Sequence, residues 1–359
     1  MITASSGEWS HKANVTITGA RFGSKPNPAP IVWDDASGTN LRDKWDGGWP
    51  DRAKNSDFNI GYRRPIRGVS PPHNRVGRYL AGAHGESTAN AGYNVMVWKA
   101  YENTGSMYLS YWYQMDPAWT FGGDNNHKLA IHSVGTPPYV PDHFNYEYNV
   151  RPTSPSSDVK WHVYTNSPES FLGPNPRLKD NHTWFGAEGT NPVGRWAKHE
   201  IIAKWSAGSD GMLVIYDNGK KVLEYQGRTD GAPGTKRVEA IGGFGRPYGK
   251  PNNWRYFADL YFDTTLARVM LGNASSLERS TKREVQIATQ WADSSITLSV
   301  NLGVFNQGET AYLYVVDSDG NVNEEGYPIK VGGSGGGDPG PGPDPTTPKA
   351  PVGLRVVGP

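Results

Sequence analysis

The chain has 359 residues and a formal net charge of +1, and without a basic field or run it excludes nucleic acid and anionic membrane as the main partner. Cysteine is absent, which removes disulfides, thiol nucleophiles and thiolate metal sites together. Hydrophobic residues make up 36% of the chain, and its Gly 44 and Pro 28 favour many turns over long helices, so an all-β fold is expected.

No run of about 18 apolar residues is present, so no membrane-spanning helix is expected. The start, MITASSGEWS, lacks the basic-then-apolar pattern of an export leader. Both ends read as trimmed from a longer chain. Residues 13–33 alternate as a strand through Val15-Thr16-Ile17-Thr18-Gly19 and turn at Phe22-Gly23 into a proline-rich connection. V-T-I-T-G-x-x-F-G resembles the opening of the immunoglobulin-like domains shared by plexins and transcription factors (IPT/TIG). The resemblance covers only the first strands, because residues 34–75 turn polar and irregular.

Strand candidates separated by turn clusters follow at 92–99, 106–115, 127–133, 144–151, 159–165, 199–205, 212–216, 222–226, 237–244 and 256–262. Ten or so antiparallel strands suffice for a two-sheet jelly roll. Residues 152–193 are proline-rich outside 159–165 and read as long loops at one rim. Around Trp196–Gln226, Asp217-Asn218-Gly219-Lys220 is a strong hairpin signal, because Asn-Gly supplies the positive φ angles of a primed turn. The pattern W-x-x-H-E-x-x-x-K followed by D-G-x-x-x-x-x-(D/N)-G-K resembles the central strands of the concanavalin A-like lectin/glucanase jelly rolls. That superfamily includes laminin-G modules and polysaccharide lyases, and it implies a sugar-facing protein, secreted or at the cell surface, whose partner is a polysaccharide.

Residues 284–331 have the shape of the later strands of the immunoglobulin-like fold. The expected organisation is therefore a split immunoglobulin-like domain, 1–40 and 280–332, with a jelly-roll β-sandwich over 41–279 between its halves. Insertion of a domain at an exposed turn is physically cheap. Residues 333–349 are a Gly/Pro linker, and 350–359 resemble the first strand of a truncated module, so further modules are expected beyond the linker.

Side chains on a strand alternate between faces. One face of 144–151 carries Asn145, Glu147, Asn149 and Arg151, and one face of 159–165 carries Lys160, His162 and Tyr164. Lys128 and His132 share a face of 127–133, and Trp112 and Gln114 belong to a partly polar face of 106–115. Amides and charged groups bond sugar hydroxyls while aromatic faces stack on pyranose C–H surfaces. These four strands are therefore expected to form a concave polysaccharide-binding face, with Trp112, Gln114, Lys128, Asn145, Glu147, Asn149 and Lys160 as contacts. The same face resembles that of alginate- and heparin-lyase-type enzymes. That resemblance implies β-elimination next to a uronate, with Arg151 and Asn149 neutralising the carboxylate, His132 or His162 as base and Tyr164 as acid. K-L-A-I-H at 128–132 loosely resembles the Q-I-H strand of alginate lyases, with Ala130 where their Gln stands. Enzyme, pure binder and structural or adhesive surface module all stay open.

No E-x-D-x-E strand of a glycosidase is present. No cofactor is implied. A calcium ion, if one is bound, is expected at Gly122-Gly123-Asp124-Asn125-Asn126-His127, whereas Asp317-Ser318-Asp319-Gly320 reads as a hairpin turn. Trp45, Trp49, Trp119, Trp184 and Trp254 lie in loop-like sequence and are candidates either for a cleft lining or for buried plugs.

Overall fold

The computed structural model describes residues 1–49, 60–84, 94–119, 127–134, 143–150, 159–165, 182–227, 229, 236–244 and 253–333; at 49, 94, 127, 133–134, 143–150, 159–165, 182–188 and 244 it describes the backbone. The fold is all-β. Helical structure among the described residues is confined to single 3-10 turns such as Leu41–Asp43 and Leu277–Arg279. The chain divides into two compact units, one made of Met1–Trp33 with Tyr261–Pro359 and the other of Asp34–Leu260.

In the first unit, a seven-stranded antiparallel sheet runs in the order Ile2–Ser6, Asn14–Gly19, Ser295–Ser299, Arg283–Ala292, Arg268–Gly272, Thr310–Val316 and Tyr327–Lys330. Residues from the two ends of the sequence are direct neighbours in it: Val15 faces Leu298 and Ile17 faces Ile296. The alternation of NVTITG explains the pairing. Val15 and Ile17 enter a core with Ile296, Leu298, Leu313 and Phe305, while Thr16 lies 3.2 Å from Thr297, hydroxyl to hydroxyl. One strand differs from the sequence expectation. Arg268–Gly272 belongs to this sheet although it precedes residue 280, because it is buried along its whole length between two partner strands and shows no alternation.

The second unit is a jelly-roll β-sandwich. Its sheet one runs His182–Glu188, Val159–Thr165, His143–Val150, His127–Val134, Lys236–Phe244, Asn94–Glu102, Gly47–Trp49. Sheet two runs Lys220–Gln226, Met212–Asp217, Ala197–Lys204, Ser106–Met115, Asn253–Asp263, Tyr79–His84, Gly61–Arg63. The hairpin expected at Asn218-Gly219 is present, with φ of 49° and 74° at its two central residues. Gly242 closes the strand Lys236–Phe244 at φ +90°, where an added Cβ would stand 2.2 Å from the Val95 carbonyl, so only glycine fits there.

The sheets pack face to face and are joined by directional bonds as well as by apolar contact. The Tyr111 hydroxyl of sheet two donates to the Leu129 carbonyl of sheet one at 3.1 Å, and the Arg255 guanidinium donates to the Lys128 carbonyl at 2.5 Å. The other face of sheet two is covered by Val69 and Ile66, which pack on Tyr79, Ala81, Ala83, Trp254, Tyr256 and Ala258 together with Trp112 and Trp196. Asp116 ties this layer down, accepting from the Tyr256 hydroxyl at 3.0 Å and from Arg67 Nε at 2.6 Å.

Removing the Ile17 side chain tests how far the chain ends depend on one another. Ile17→Ala is expected to destabilise the first unit by about 2–5 kcal/mol, the usual cost of a large-to-small change in a packed core. In native-state hydrogen exchange, the amides of Ser295–Ser299 are expected to lose protection together with those of Asn14–Gly19. Unchanged exchange at Ser295–Ser299 would show that the two strands are energetically independent.

Candidate functional site

The strand His143–Val150 lies between His127–Val134 and Val159–Thr165, and its register decides which candidates come together. Asn145 is opposite Tyr164, Glu147 opposite His162, and Asn149 opposite Lys160. On the next strand, His182 is opposite Tyr164, Trp184 opposite His162, and Glu188 opposite Lys160. Six of the sequence-derived candidates therefore occupy matched positions on two adjoining strands. His182, Trp184 and Glu188 extend the same rows. They were missed because HTWFGAE sits in a segment whose prolines and glycines hide a short strand.

His127–Val134 contributes in a way that differs from expectation. A register irregularity between Tyr146 and Glu147 sets Lys128 opposite Glu147, so Lys128 joins the candidate rows. His132 does not. It is opposite Phe144, while its neighbour Ile131 is opposite Asn145, so His132 has the opposite parity to Asn145 and Tyr164. It is buried between the sheets at 2% exposure. Its Nδ1 lies 3.1 Å from Glu239 Oε2 and 3.2 Å from the Tyr101 hydroxyl, and its ring stacks on Trp205 at 3.9 Å. Burial, with Arg237 nearby, pushes the imidazole well below its ordinary value. A polar-looking strand face has been turned inward because Glu239 and Tyr101 supply its hydrogen bonds there.

Trp112 and Gln114 are also placed away from these rows. Their strand, Ser106–Met115, belongs to sheet two and pairs with Ala197–Lys204. Trp112 is opposite Lys198, whose ammonium lies 5.3 Å from the indole centroid, and Gln114 is buried. The expected four-strand face is thus three strands plus His182–Glu188. Arg151 lies outside the described residues, as does the segment 120–126 where a calcium ion was expected.

Of the loop-like tryptophans, Trp45, Trp119 and Trp254 are buried. Trp45 donates its indole N–H to Asp34 at 2.8 Å, and Trp254 lies within the strand Asn253–Asp263. They are plugs, not a cleft lining. The loop Asp317–Asn321 uses its first carboxylate internally: Asp317 Oδ1 accepts from the backbone N–H groups of Asp319 and Asn321, each at 2.9 Å. It is a turn, as its sequence suggests. Among the described residues, no group of three or more His, Asp or Glu side chains is placed to hold a metal ion. Among them, too, no helix is long and apolar enough to cross a membrane.

No family model matches the chain, and no curated protein matches it. Solved structures do resemble it. An endo-β-1,4-glucuronan lyase from the fungus Trichoderma reesei aligns over 66% of this chain and 97% of its own, with 14% identity and a TM-score of 0.42. Alginate lyase Aly36B aligns over 73% of this chain and 98% of its own, with 15% identity and a TM-score of 0.42. The alginate lyase vAL-1 of a Chlorella virus covers 57% of this chain and 92% of its own, with 15% identity and a TM-score of 0.37.

The buried histidines set the response to acid. His199 lies between the sheets against Tyr111 and Tyr113, at ring distances of 5.2 and 5.8 Å, and burial lowers its pKa to about 3. It stays neutral in the native state, whereas the unfolded chain protonates it below about 6.5. Its contribution is therefore fully present above that value and is lost as pH falls toward about 3. His132 acts in the same direction, and Glu239, whose carboxyl is pushed up by burial, acts in the opposite one. His199→Gln removes the first contribution alone. It is expected to narrow the gap between urea midpoints measured at pH 4 and at pH 7; an unchanged gap would show that His199 is not held neutral.

Proposed function

We propose that this protein acts on a uronate-containing polysaccharide, and that it is a lyase cleaving the chain by β-elimination, working outside the cell or at its surface. The observation that carries the reading is the register of sheet one, which sets His162 and Tyr164 beside Asn145, Glu147, Asn149 and Lys160 on adjoining strands. The same class of reaction names the glucuronan lyase and the alginate lyases described above; the reading for this chain stands on the register.

Asn149 and Lys160 supply the groups that bond and neutralise the uronate carboxylate, with Arg151 on the following residues of the same strand sequence. Neutralisation makes the C5 proton removable, because charge that develops on the carboxylate is then stabilised. His162 is the base that takes this proton. The electron pair of the C5–H bond forms the C4=C5 double bond, the C4–O glycosidic bond breaks, and Tyr164 protonates the departing oxygen. Residues two apart on a strand stand about 6.6 Å apart, a span that lets base and acid serve neighbouring atoms of one linkage. His132 takes no part, since its imidazole is enclosed between the sheets by Glu239, Tyr101 and Trp205.

The second reading is recognition without cleavage, and the same rows of amide, charged and aromatic residues would serve it. One experiment separates them. Wild-type protein incubated with polyguluronate, polymannuronate and polyglucuronate is expected to raise the ultraviolet absorbance of C4=C5 uronates with at least one polymer. His162→Ala and Tyr164→Phe are each expected to lower kcat by about 10²–10⁴, the usual worth of a general acid or base, and to leave retardation in a polymer-containing gel unchanged. Retardation without product would reduce the protein to a binding module. Neither signal on any polymer would leave a structural or adhesive module.

A further inference from the structure

The first unit contains a solvent-open pocket lined by Gly23, Ser24, Lys25, Pro26, Trp291, Ala292 and Asp293. Two segments far apart in sequence build it, the turn after the strand Asn14–Gly19 and the hairpin after Arg283–Ala292. They are locked together by the Trp291 indole N–H, which donates to the Gly23 carbonyl at 3.2 Å, and by the Gly23 N–H, which donates to Asp293 Oδ1 at 3.0 Å. The half-buried indole is therefore fixed in orientation before any ligand arrives, which removes an ordering cost from binding.

Beside it lies a buried ammonium. Lys25 Nζ is 5.7 Å from the Trp291 ring centroid, 2.7 Å from Asp263 Oδ2 and 3.4 Å from the Tyr261 hydroxyl. Its side chain is 1% exposed. Asp263 and Tyr261 take up two of the three donors of this ammonium, and at that burial it is a structural part of the pocket wall. Asp263 balances its charge. The remaining charge in the lining is the exposed carboxylate of Asp293, which accepts from hydroxyl donors and repels anions.

We infer that this pocket is a second carbohydrate site, separate from the rows of sheet one, and that it takes a neutral pyranose. The indole supplies a stacking surface for sugar C–H groups. Asp293 and Ser24 supply acceptors for ring hydroxyls. A uronate is disfavoured because its carboxylate would face Asp293. The inference does not depend on the lyase reading, since none of these residues belongs to sheet one.

The test uses the full chain carrying His162→Ala, so that turnover cannot deplete a ligand. Cellohexaose, mannohexaose and trimannuronate are titrated by calorimetry. At least one neutral hexaose is expected to bind, and Ser24→Trp, which fills the pocket from an exposed position, is expected to weaken it at least tenfold. Trp291→Ala is expected to do the same. Trimannuronate binding, if seen, is expected to be unchanged by Ser24→Trp. No binding of either neutral hexaose, or binding that Ser24→Trp leaves intact, would overturn the inference; so would trimannuronate binding that Ser24→Trp abolishes. Failure of trimannuronate to bind at all bears on sheet one only and leaves a positive hexaose result standing.

Discussion

Everything proposed for sheet one depends on the two-residue repeat of a β-strand. Once Asn145 stands opposite Tyr164, the pairings of Glu147 with His162 and of Asn149 with Lys160 follow without further choice. The same constraint excludes His132, because the pairing of Ile131 with Asn145 commits His132 to the opposite parity. A single backbone register therefore separates two histidines of similar sequence context into a candidate base and an interior residue. The irregularity at Tyr146/Glu147 relaxes the rule and admits Lys128, and a second one between Lys160 and His162 sets Glu188 opposite Lys160.

The interior that receives His132 is unusually polar for a sandwich. Tyr111 and Arg255 donate to backbone carbonyls of the facing sheet, and His132 bonds Glu239. Apolar packing alone tolerates sliding and repacking, whereas bonds to fixed carbonyls specify one alignment of the two layers. An enzyme that must hold a base and an acid against two atoms of one sugar linkage gains from such a platform, since small displacements of reacting groups are costly. The buried Tyr113 hydroxyl, pushed up to about 12 by burial, and the low value of His199 both show how thoroughly this layer disfavours charge.

The sequence was informative where a local rule had no competitor. Asn218-Gly219 allowed one kind of turn, and VTITG separated its faces cleanly because one of them meets water. The five longer strands from Asn94–Glu102 to Lys236–Phe244 were visible by their alternation, unlike Gly47–Trp49 and His182–Glu188, and so was the grouping of Asn145, Glu147, Asn149, Lys160, His162 and Tyr164. What could not be read was which sheet a strand joins and which of its faces turns inward. Ser106–Met115 looked half-polar, yet Ser110 and Gln114 are buried and the strand lies in sheet two. His132 looked exposed because polarity normally marks the wet side, and its partners Glu239 and Tyr101 come from strands distant in sequence. Arg268–Gly272 gave no periodic signal, being covered on both sides. Trp45 and Trp119 could be read as cleft lining or as plugs because their neighbours are turn residues; both are buried, since a turn can lie over a core and still point its ring into it.

The pairing of the two chain ends has a consequence for how the molecule is made. Thr16 and Thr297 are neighbours in one sheet but 281 positions apart in sequence. On a ribosome adding roughly 5–20 residues per second, the strand bearing Thr16 waits on the order of tens of seconds for its partner. During that wait Val15, Ile17 and Phe22 have no core to enter, and the strand presents an open edge of the kind that recruits other chains. All of Asp34–Leu260 emerges within the same interval. The nascent chain therefore completes Asp34–Leu260 before the strand Asn14–Gly19 finds its second partner, and the aggregation risk of its synthesis is concentrated in Ile2–Ser6 and Asn14–Gly19.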